Sequence, residues 1–405
     1  MASCASDIKA PVRKTYDKFL LFVMVVLVCF GAIMIYSSTS VITPLVALTK
    51  KNITEFYYFK RHLFTMAVGL LVMLFAYRLK PSLLQKTAVP LLVFSFFLLV
   101  LVFLPHIGVS GGGARRWIRL WPTTFQPSEL VKLAMVVFLA KYMADPGYDP
   151  DQLPSFVKPL VVMALFQAVF MKQPDFGSTM SLAFLTFAML FISGVKIRYL
   201  ASLLVLAAPV VYKLIVMEPY RRARFTAFLD PWKDPLGSGF QLVQSFISLG
   251  SGGITGLGLG ESRQKLSFLP ASHTDFIFCL VGEELGLIGA SVLIALFLLL
   301  FLRGISIAQR AKDNFVYYLA YGLTLMICLQ ALINFSVVTG LVPTKGLPLP
   351  FMSYGGSALL VNMAAVGILL RISKGDFEPS VIAQDHIKAK RIARRNIYSR
   401  KGYRS

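Results

Sequence analysis

His273-Thr274-Asp275-Phe276-Ile277-Phe278-Cys279-Leu280-Val281-Gly282-Glu283-Glu284-Leu285-Gly286 opens an apolar run that continues to Leu302. A helix needs about 20 mostly apolar residues to cross a hydrocarbon core of about 30 Å, so this run reads as a membrane span. A carboxylate, Asp275, stands at its mouth, and Glu283 and Glu284 lie about two turns further in. Just upstream runs Gly250-Ser251-Gly252-Gly253-Ile254-Thr255-Gly256-Leu257-Gly258-Leu259-Gly260. A glycine-rich loop, a polar insert and a carboxylate at the entrance of a span mark this stretch as the place where chemistry is expected.

The rest of the chain has the same apolar character. Its 405 residues are 56% apolar and 15% charged, with a mean hydropathy of +0.69, too apolar for a soluble globular protein and typical of a polytopic membrane protein. About ten runs of span length are visible: 19–36, 63–77, 88–104, 127–143, 157–171, 177–194, 197–217, 276–302, 315–340 and 351–372. A basic segment precedes the first, but no small-residue cleavage site follows before Tyr36, so it is expected to be retained as a span. The longest break between spans is 218–275.

Short loops set the orientation. The amino-terminal segment, the Arg78/Lys80/Lys86 turn, the Lys196/Arg198 turn, the Arg303/Arg310/Lys312 loop and the tail carry Lys or Arg, which places them and both termini on the cytoplasmic side. The tail holds Lys388, Lys390, Arg391, Arg394, Arg395, Arg400, Lys401 and Arg404, a solvated segment expected near anionic headgroups. The formal charge of +22 therefore requires no nucleic acid.

Two outer loops break the charge rule, one with Arg115, Arg116 and Arg119, the other with Arg221, Arg222 and Arg224. Guanidinium groups bind phosphate in bidentate fashion, so a membrane-embedded phosphate or diphosphate substrate is one reading; outer-leaflet headgroups, or pairing with Asp230 and Asp234, is the other. The cysteines, Cys4, Cys29, Cys279 and Cys328, show neither metal spacing nor a disulfide framework. The glycine stretch lacks a Gly-Lys-Ser/Thr ending and no strand precedes it, which excludes P-loop and Rossmann readings; it suits either a loop dipping toward the membrane or one lying under a ligand.

Asp275 admits two readings. Near the interface, in a partly dry environment, its pKa would rise toward that of a general base; as a helix N-cap it would instead be held ionised. Of Glu283 and Glu284, at least one is expected to point into the bundle. Gln126-Pro127-Ser128-Glu129 starts a helix with Lys132 on the same face as Glu129, as an internal pair or a polar cavity lining. Lys172-Gln173-Pro174-Asp175 reads as a solvated turn, and 343–357, with three prolines, Lys345, Ser353 and a glycine pair, as a re-entrant loop buried in protein or lining a cavity.

Four blocks together resemble the SEDS family (shape, elongation, division and sporulation): 220–241, with its arginine run followed by Asp230-Pro231-Trp232-Lys233-Asp234-Pro235; Ser262-Arg263-Gln264-Lys265; His273 to Phe278; and Pro343 to Gly356. The similarity covers about 19–372 and is greater to the division branch than to the elongation branch. It implies an all-α polytopic membrane protein of about ten transmembrane helices, with a cytoplasmic segment 1–18, a large extracytoplasmic loop 218–275 between the seventh and eighth helices, a re-entrant loop before the tenth, and a basic cytoplasmic tail 373–405. The implied activity is a peptidoglycan glycosyltransferase of the bacterial inner membrane at the division site. It would polymerise lipid II with inversion at the anomeric carbon, using Asp275 as base and expelling undecaprenyl diphosphate. Arg115, Arg116, Arg221, Arg222 and Lys345 are the candidate cations for the diphosphate, and Glu129, Lys132, His273, Thr274 and Ser353 complete the candidate substrate-binding set. No metal-ligand cluster stands out, and assistance from Mg²⁺ or Mn²⁺ is left open. Expected partners are lipid II, the undecaprenyl diphosphate-linked glycan, a class B penicillin-binding protein, other divisome proteins and membrane lipids. A lipid II flippase and a non-catalytic divisome scaffold are the competing readings.

Overall fold

A computed structural model describes residues 15–39, 56–111, 114–120, 123–217, 219–262, 274–344 and 346–375. His273, Lys345, the 263–265 part of the Ser-Arg-Gln-Lys block, residues 1–14, the tail 376–405 and the side chain of Arg221 lie outside the described residues.

Each of the ten apolar runs forms a helix. In chain order these are α1 (Lys18–Thr39), α2 (Tyr57–Arg78), α3 (Pro81–Leu101), α4 (Pro127–Met143), α5 (Leu153–Lys172), α6 (Phe176–Ile192), α7 (Ile197–Val216), α10 (Ile277–Gln309), α11 (Asn314–Val338) and α12 (Gly356–Ser373). Two more, α8 (Pro219–Leu229) and α9 (Phe240–Ser251), fold inside the long break that the sequence left without elements. Among the described residues, seven helices are long and apolar enough to cross a membrane; α6 and the first part of α7 are apolar but shorter. The 17-residue α4 carries Glu129, Lys132 and Lys141 yet is buried along nearly its whole length, the central post of the bundle.

One element departs from the all-α expectation. Between α3 and α4, β1 (Gly108–Gly111), β2 (Ala114–Leu120) and β3 (Thr123–Phe125) form an antiparallel sheet in that order. Its last strand is tied to α12: the Ser357 hydroxyl donates to Thr124 O (3.4 Å) and accepts from Gln126 N (2.8 Å).

Local signals place the helix starts. Proline stands in the first turn of α3, α4 and α5, where its missing N–H removes no bond. Asp313 caps α11 by accepting from Phe315 N and Val316 N, and Asp175 caps α6 by accepting from Ser178 N.

Helix α10 is broken. Gly286 has φ 65° and ψ −162°, a conformation open essentially to glycine alone. The glycine-rich loop fills the break: Leu257 N donates to Glu283 O (3.0 Å), Gly258 N to Glu284 O (3.0 Å), Leu287 N to Gly253 O (2.9 Å) and Ile288 N to Ile254 O (3.2 Å). The loop thus satisfies groups that an interrupted helix would leave bare. Its glycines act by letting two backbones meet.

Of the 343–357 stretch read as a re-entrant loop, the described residues up to Gly355 are non-helical and α12 begins at Gly356. The backbone at Phe351 and Met352 packs against Gly31, near the middle of α1, where any β-carbon would strike the Phe351 carbonyl. Phe351 holds φ +64° while 2% exposed, a strained backbone kept by its surroundings.

Candidate active site

The loops that follow α3, α5, α7 and α11 lie at one end of the bundle, and the polar residues they carry converge beside Asp275. The helix behind it, α10, begins at Ile277 with Phe276 at the cap and no side-chain cap bond. Asp275 therefore does not cap α10, and the cap alternative drops out. Its half-buried carboxyl rests on Gly346, where an added β-carbon would lie 2.5 Å from Oδ2 and 3.3 Å from Cγ. Burial pushes its pKa up to about 6, against the opposing pull of the Arg224 and Arg116 guanidinium groups, and Asp175 adds a smaller upward push. A carboxyl near that value can hold or release a proton close to neutral pH.

Two of the arginines reach this centre. Arg224 on α8 donates to Thr344 O (2.9 Å), which anchors the loop next to Asp275. Arg116 on β2 donates from Nε to Gln173 O (3.4 Å) and from Nη2 to Pro174 O, and lies 4.0 Å from Asp175. The 172–175 turn is accordingly not the solvated connection expected: Gln173 is 2% and Asp175 4% exposed. Gln173 also donates to Leu99 O (2.8 Å). Arg116 is thus partly occupied in holding this turn, leaving part of its charge toward Asp275. Arg115 and Arg222 are exposed, and Thr274 is half-buried beside Asp275.

Glu129 and Lys132 form a pair at 2.8 Å, with side chains 4% and 2% exposed. Lys132 Nζ also donates to Gln330 Oε1 (2.6 Å), and Gln330 Nε2 donates to Pro348 O (2.7 Å). One turn further along α11, Asn334 Nδ2 donates to both Asp275 O and Leu347 O, each at 2.7 Å. Ser353 accepts from Leu349 N (2.8 Å) and closes the loop turn. The sequence reading named Glu129, Lys132 and Ser353 but missed Gln330 and Asn334. Two neutral amides in an apolar run carry no charge signal, although their spacing of four puts them on one helix face.

Glu283 and Glu284 are both buried, each 1% exposed. Glu283 accepts from the Ser248 and Ser262 hydroxyls (3.2 and 2.5 Å), and Glu284 from Ser37 (2.6 and 2.7 Å). They tie α9, the glycine loop and α1 to α10. Among the described residues no three His, Cys, Asp or Glu side chains gather as a metal-binding group. An apolar cavity of about 590 Å³ opens between α6, α7, α11 and the loop, lined by Phe184, Phe187, Leu332, Ile333, Pro343 and Leu347 among others.

Residues 17–376 match the cell cycle protein family that groups FtsW, RodA and SpoVE. The chain belongs to the SEDS family. It is of the FtsW type. A probable peptidoglycan glycosyltransferase FtsW of Geobacter metallireducens is 45% identical over 360 residues, 88% of this chain and 94% of that one. Stage V sporulation protein E of Bacillus subtilis is 39% identical over 359 residues, 88% and 97%. Among solved structures, a chain from a study of how a peptidoglycan synthase complex coordinates polymerization and crosslinking superimposes with TM-score 0.74 at 28% identity, covering 90% of this chain and 99% of that one. Thermus thermophilus RodA superimposes with TM-score 0.66 at 26% identity, covering 91% and 100%. The multi-pass helical architecture of the SEDS proteins is therefore that of this chain.

Proposed function

We propose that this protein is a peptidoglycan glycosyltransferase that polymerises lipid II on the outer face of the cytoplasmic membrane during septal wall synthesis. The observation that carries the reading is the setting of Asp275: a carboxyl whose pKa is raised to about 6, with two guanidinium groups in range, lying against a loop whose Pro343 and Leu347 line an apolar cavity. An inverting transfer needs one base and a cationic environment for the leaving group. Asp275 takes the proton from the 4-hydroxyl of the acceptor lipid II GlcNAc as that oxygen bonds to the MurNAc anomeric carbon. The bond from that carbon to the diphosphate oxygen breaks, and undecaprenyl diphosphate leaves with the electron pair.

Arg224 and the free part of Arg116 are the nearest described cations for the diphosphate, with Arg115, Arg222, Arg221 and Lys345 as further candidates. The cavity between α6, α7 and α11 suits a polyprenyl chain, because its lining is apolar and it adjoins the Asp275 loop. A Mg²⁺ or Mn²⁺ ion here would draw its ligands mainly from diphosphate oxygens. The synthase-complex neighbour supports pairing with a class B penicillin-binding protein. Other divisome proteins, the division site and cytoplasmic termini belong to the same reading, the last resting on the Lys and Arg of the short loops.

The test is glycan-strand synthesis from purified lipid II in detergent, with the cognate penicillin-binding protein restricted to crosslinking. Polymer from the parent and none from folded Asp275→Asn supports the assignment. Equal polymer from both removes Asp275 from the base role, and none from either favours a flippase or a scaffold.

A further inference from the structure

The carboxylate of Asp275 is held by a loop that has few backbone donors. Residues 343–350 include three prolines, which lack an N–H, so this segment cannot close on itself as a helix or ladder would. Besides Arg224 on Thr344 O and the Ser353 turn, it is held by two side chains four residues apart on α11. Gln330 donates to Pro348 O and Asn334 to Leu347 O, both at 2.7 Å. The second hydrogen of the Asn334 amide goes to Asp275 O, also at 2.7 Å. Both partners are carbonyl oxygens, so the NH₂ group must face them. The amide oxygen of Asn334 has no partner among the described residues, and the side chain is 1% exposed.

We infer that Asn334, with Gln330 behind it, is a positioning residue for the transfer reaction: one amide fixes the spacing between the chain that carries the Asp275 carboxylate and the loop on which it rests. Leu347 O is one residue from Gly346, whose α-carbon lies directly against that carboxylate. Lengthening either hydrogen bond withdraws the floor beneath Oδ2 and lets water in. Gln330 is locked from its other side by Lys132, itself paired with Glu129, so the buried ion pair on α4 sets the height of the loop through one intervening side chain. Lys132 and Glu129 accordingly act on the reaction from behind the loop. This inference rests on Asp275 being the base.

The groups facing Asp275 are Arg224 from α8, Arg116 from β2 and Asp175 from the start of α6. None of them is altered by the substitutions that follow, so a change in the acid limb of the pH–rate profile reports the loop. The experiment uses full-length protein with its crosslinking-only partner and measures initial rates of glycan synthesis against lipid II concentration from pH 5 to 8. The variants are Asn334→Leu, of similar size without a donor, and Asn334→Ser, smaller with a donor for one carbonyl.

Folded Asn334→Leu is expected to lose at least tenfold in kcat with KM within about twofold. Its acid limb should move to lower pH as the carboxyl becomes wetter, and Asn334→Ser should fall between it and the parent. A kcat within twofold of the parent and an unmoved acid limb, in whichever variant folds, overturns the positioning role. Asp275→Asn is run alongside: if it polymerises normally, the reading of Asp275 fails independently of Asn334.

Discussion

Gly346 and Asp275 are in direct contact, and the space between them has no room for a methyl group: a β-carbon at position 346 would stand 2.5 Å from Oδ2 of the carboxylate. The Gly346→Ala variant is therefore expected to fold, since a single surface-loop methyl is added, but to displace the carboxylate from its seat. A loss of at least about tenfold in glycan synthesis, equivalent to about 1.4 kcal/mol in the barrier, is expected with little change in thermal midpoint. Unchanged turnover would show that the carboxylate works from another position.

The raised pKa of Asp275 has a consequence for rate. The base form is the carboxylate, so polymerisation is expected to fall with decreasing pH through about 6 and to be level above it. The acid limb should vanish from any residual activity of Asp275→Asn.

It also has a consequence for stability, of opposite sign to the usual aspartate. The folded-state pKa of about 6 lies above the ordinary value of 3.8, so the native state binds the proton more tightly than the unfolded one. Stability is then full below about pH 4, declines as pH rises to about 6, and stays reduced beyond it. Asp275→Asn should unfold at a higher temperature than the parent at pH 8 and at the same temperature near pH 4. A variant less stable at pH 8 would contradict the partly dry, ion-disfavouring setting.

The pair of Lys132 with Glu129 is dry on both sides. Lys132→Met alone leaves Glu129 and Gln330 without their cation, at a cost of about 3–5 kcal/mol, whereas Lys132→Met with Glu129→Gln should recover much of it. A double-mutant cycle on the detergent-purified protein reads this directly, and additive losses would mean that the two charges do not stabilise each other.

Gly286 is the fourth target. Alanine there must adopt a backbone reserved for glycine, and its methyl would lie 2.5 Å from Ile254 O. Gly286→Ala is expected to destabilise by about 3 kcal/mol or more and to reduce accumulation in the membrane, scored by immunoblot and by the thermal midpoint of what is recovered. Normal levels and an unchanged midpoint would mean that α10 can run straight through.

The helices at the ten apolar runs were legible because apolar residues persist along most of each, a pattern written locally in the sequence; among the described residues seven of them are long and apolar enough to cross a membrane. Asp275 was legible because a charge at the mouth of such a run is costly to place there. The small sheet was not: Ala114 to Leu120 is short, arginine-rich and closed by pairing with strands that carry little pattern of their own. Nor was the burial of Gln173 and Asp175, whose environment comes from Arg116, Leu99 and Ser178, remote or unremarkable in sequence. Of the outer arginines, Arg224 reaches the Asp275 loop and Arg222 is exposed, a distinction fixed by the helical phase of α8, and the sequence reading had no helix there to supply it.

The break at Gly286 divides α10 into unequal parts. Of the longer part, the apolar stretch 287–302 ahead of Arg303 is about 24 Å long at 1.5 Å per residue. That falls short of the interior of a bilayer, about 30 Å, so the turns before Gly286 are needed to complete the crossing. The shorter part, with Asp275 just ahead of it, supplies that remainder, and Glu284 meets Ser37 near the C-terminal end of α1. The molecule thus carries its own depth gauge. Under the proposed function, a substrate anchored in the leaflet by its tail has its sugar joined at the mouth of a span whose own length sets the depth of the reaction.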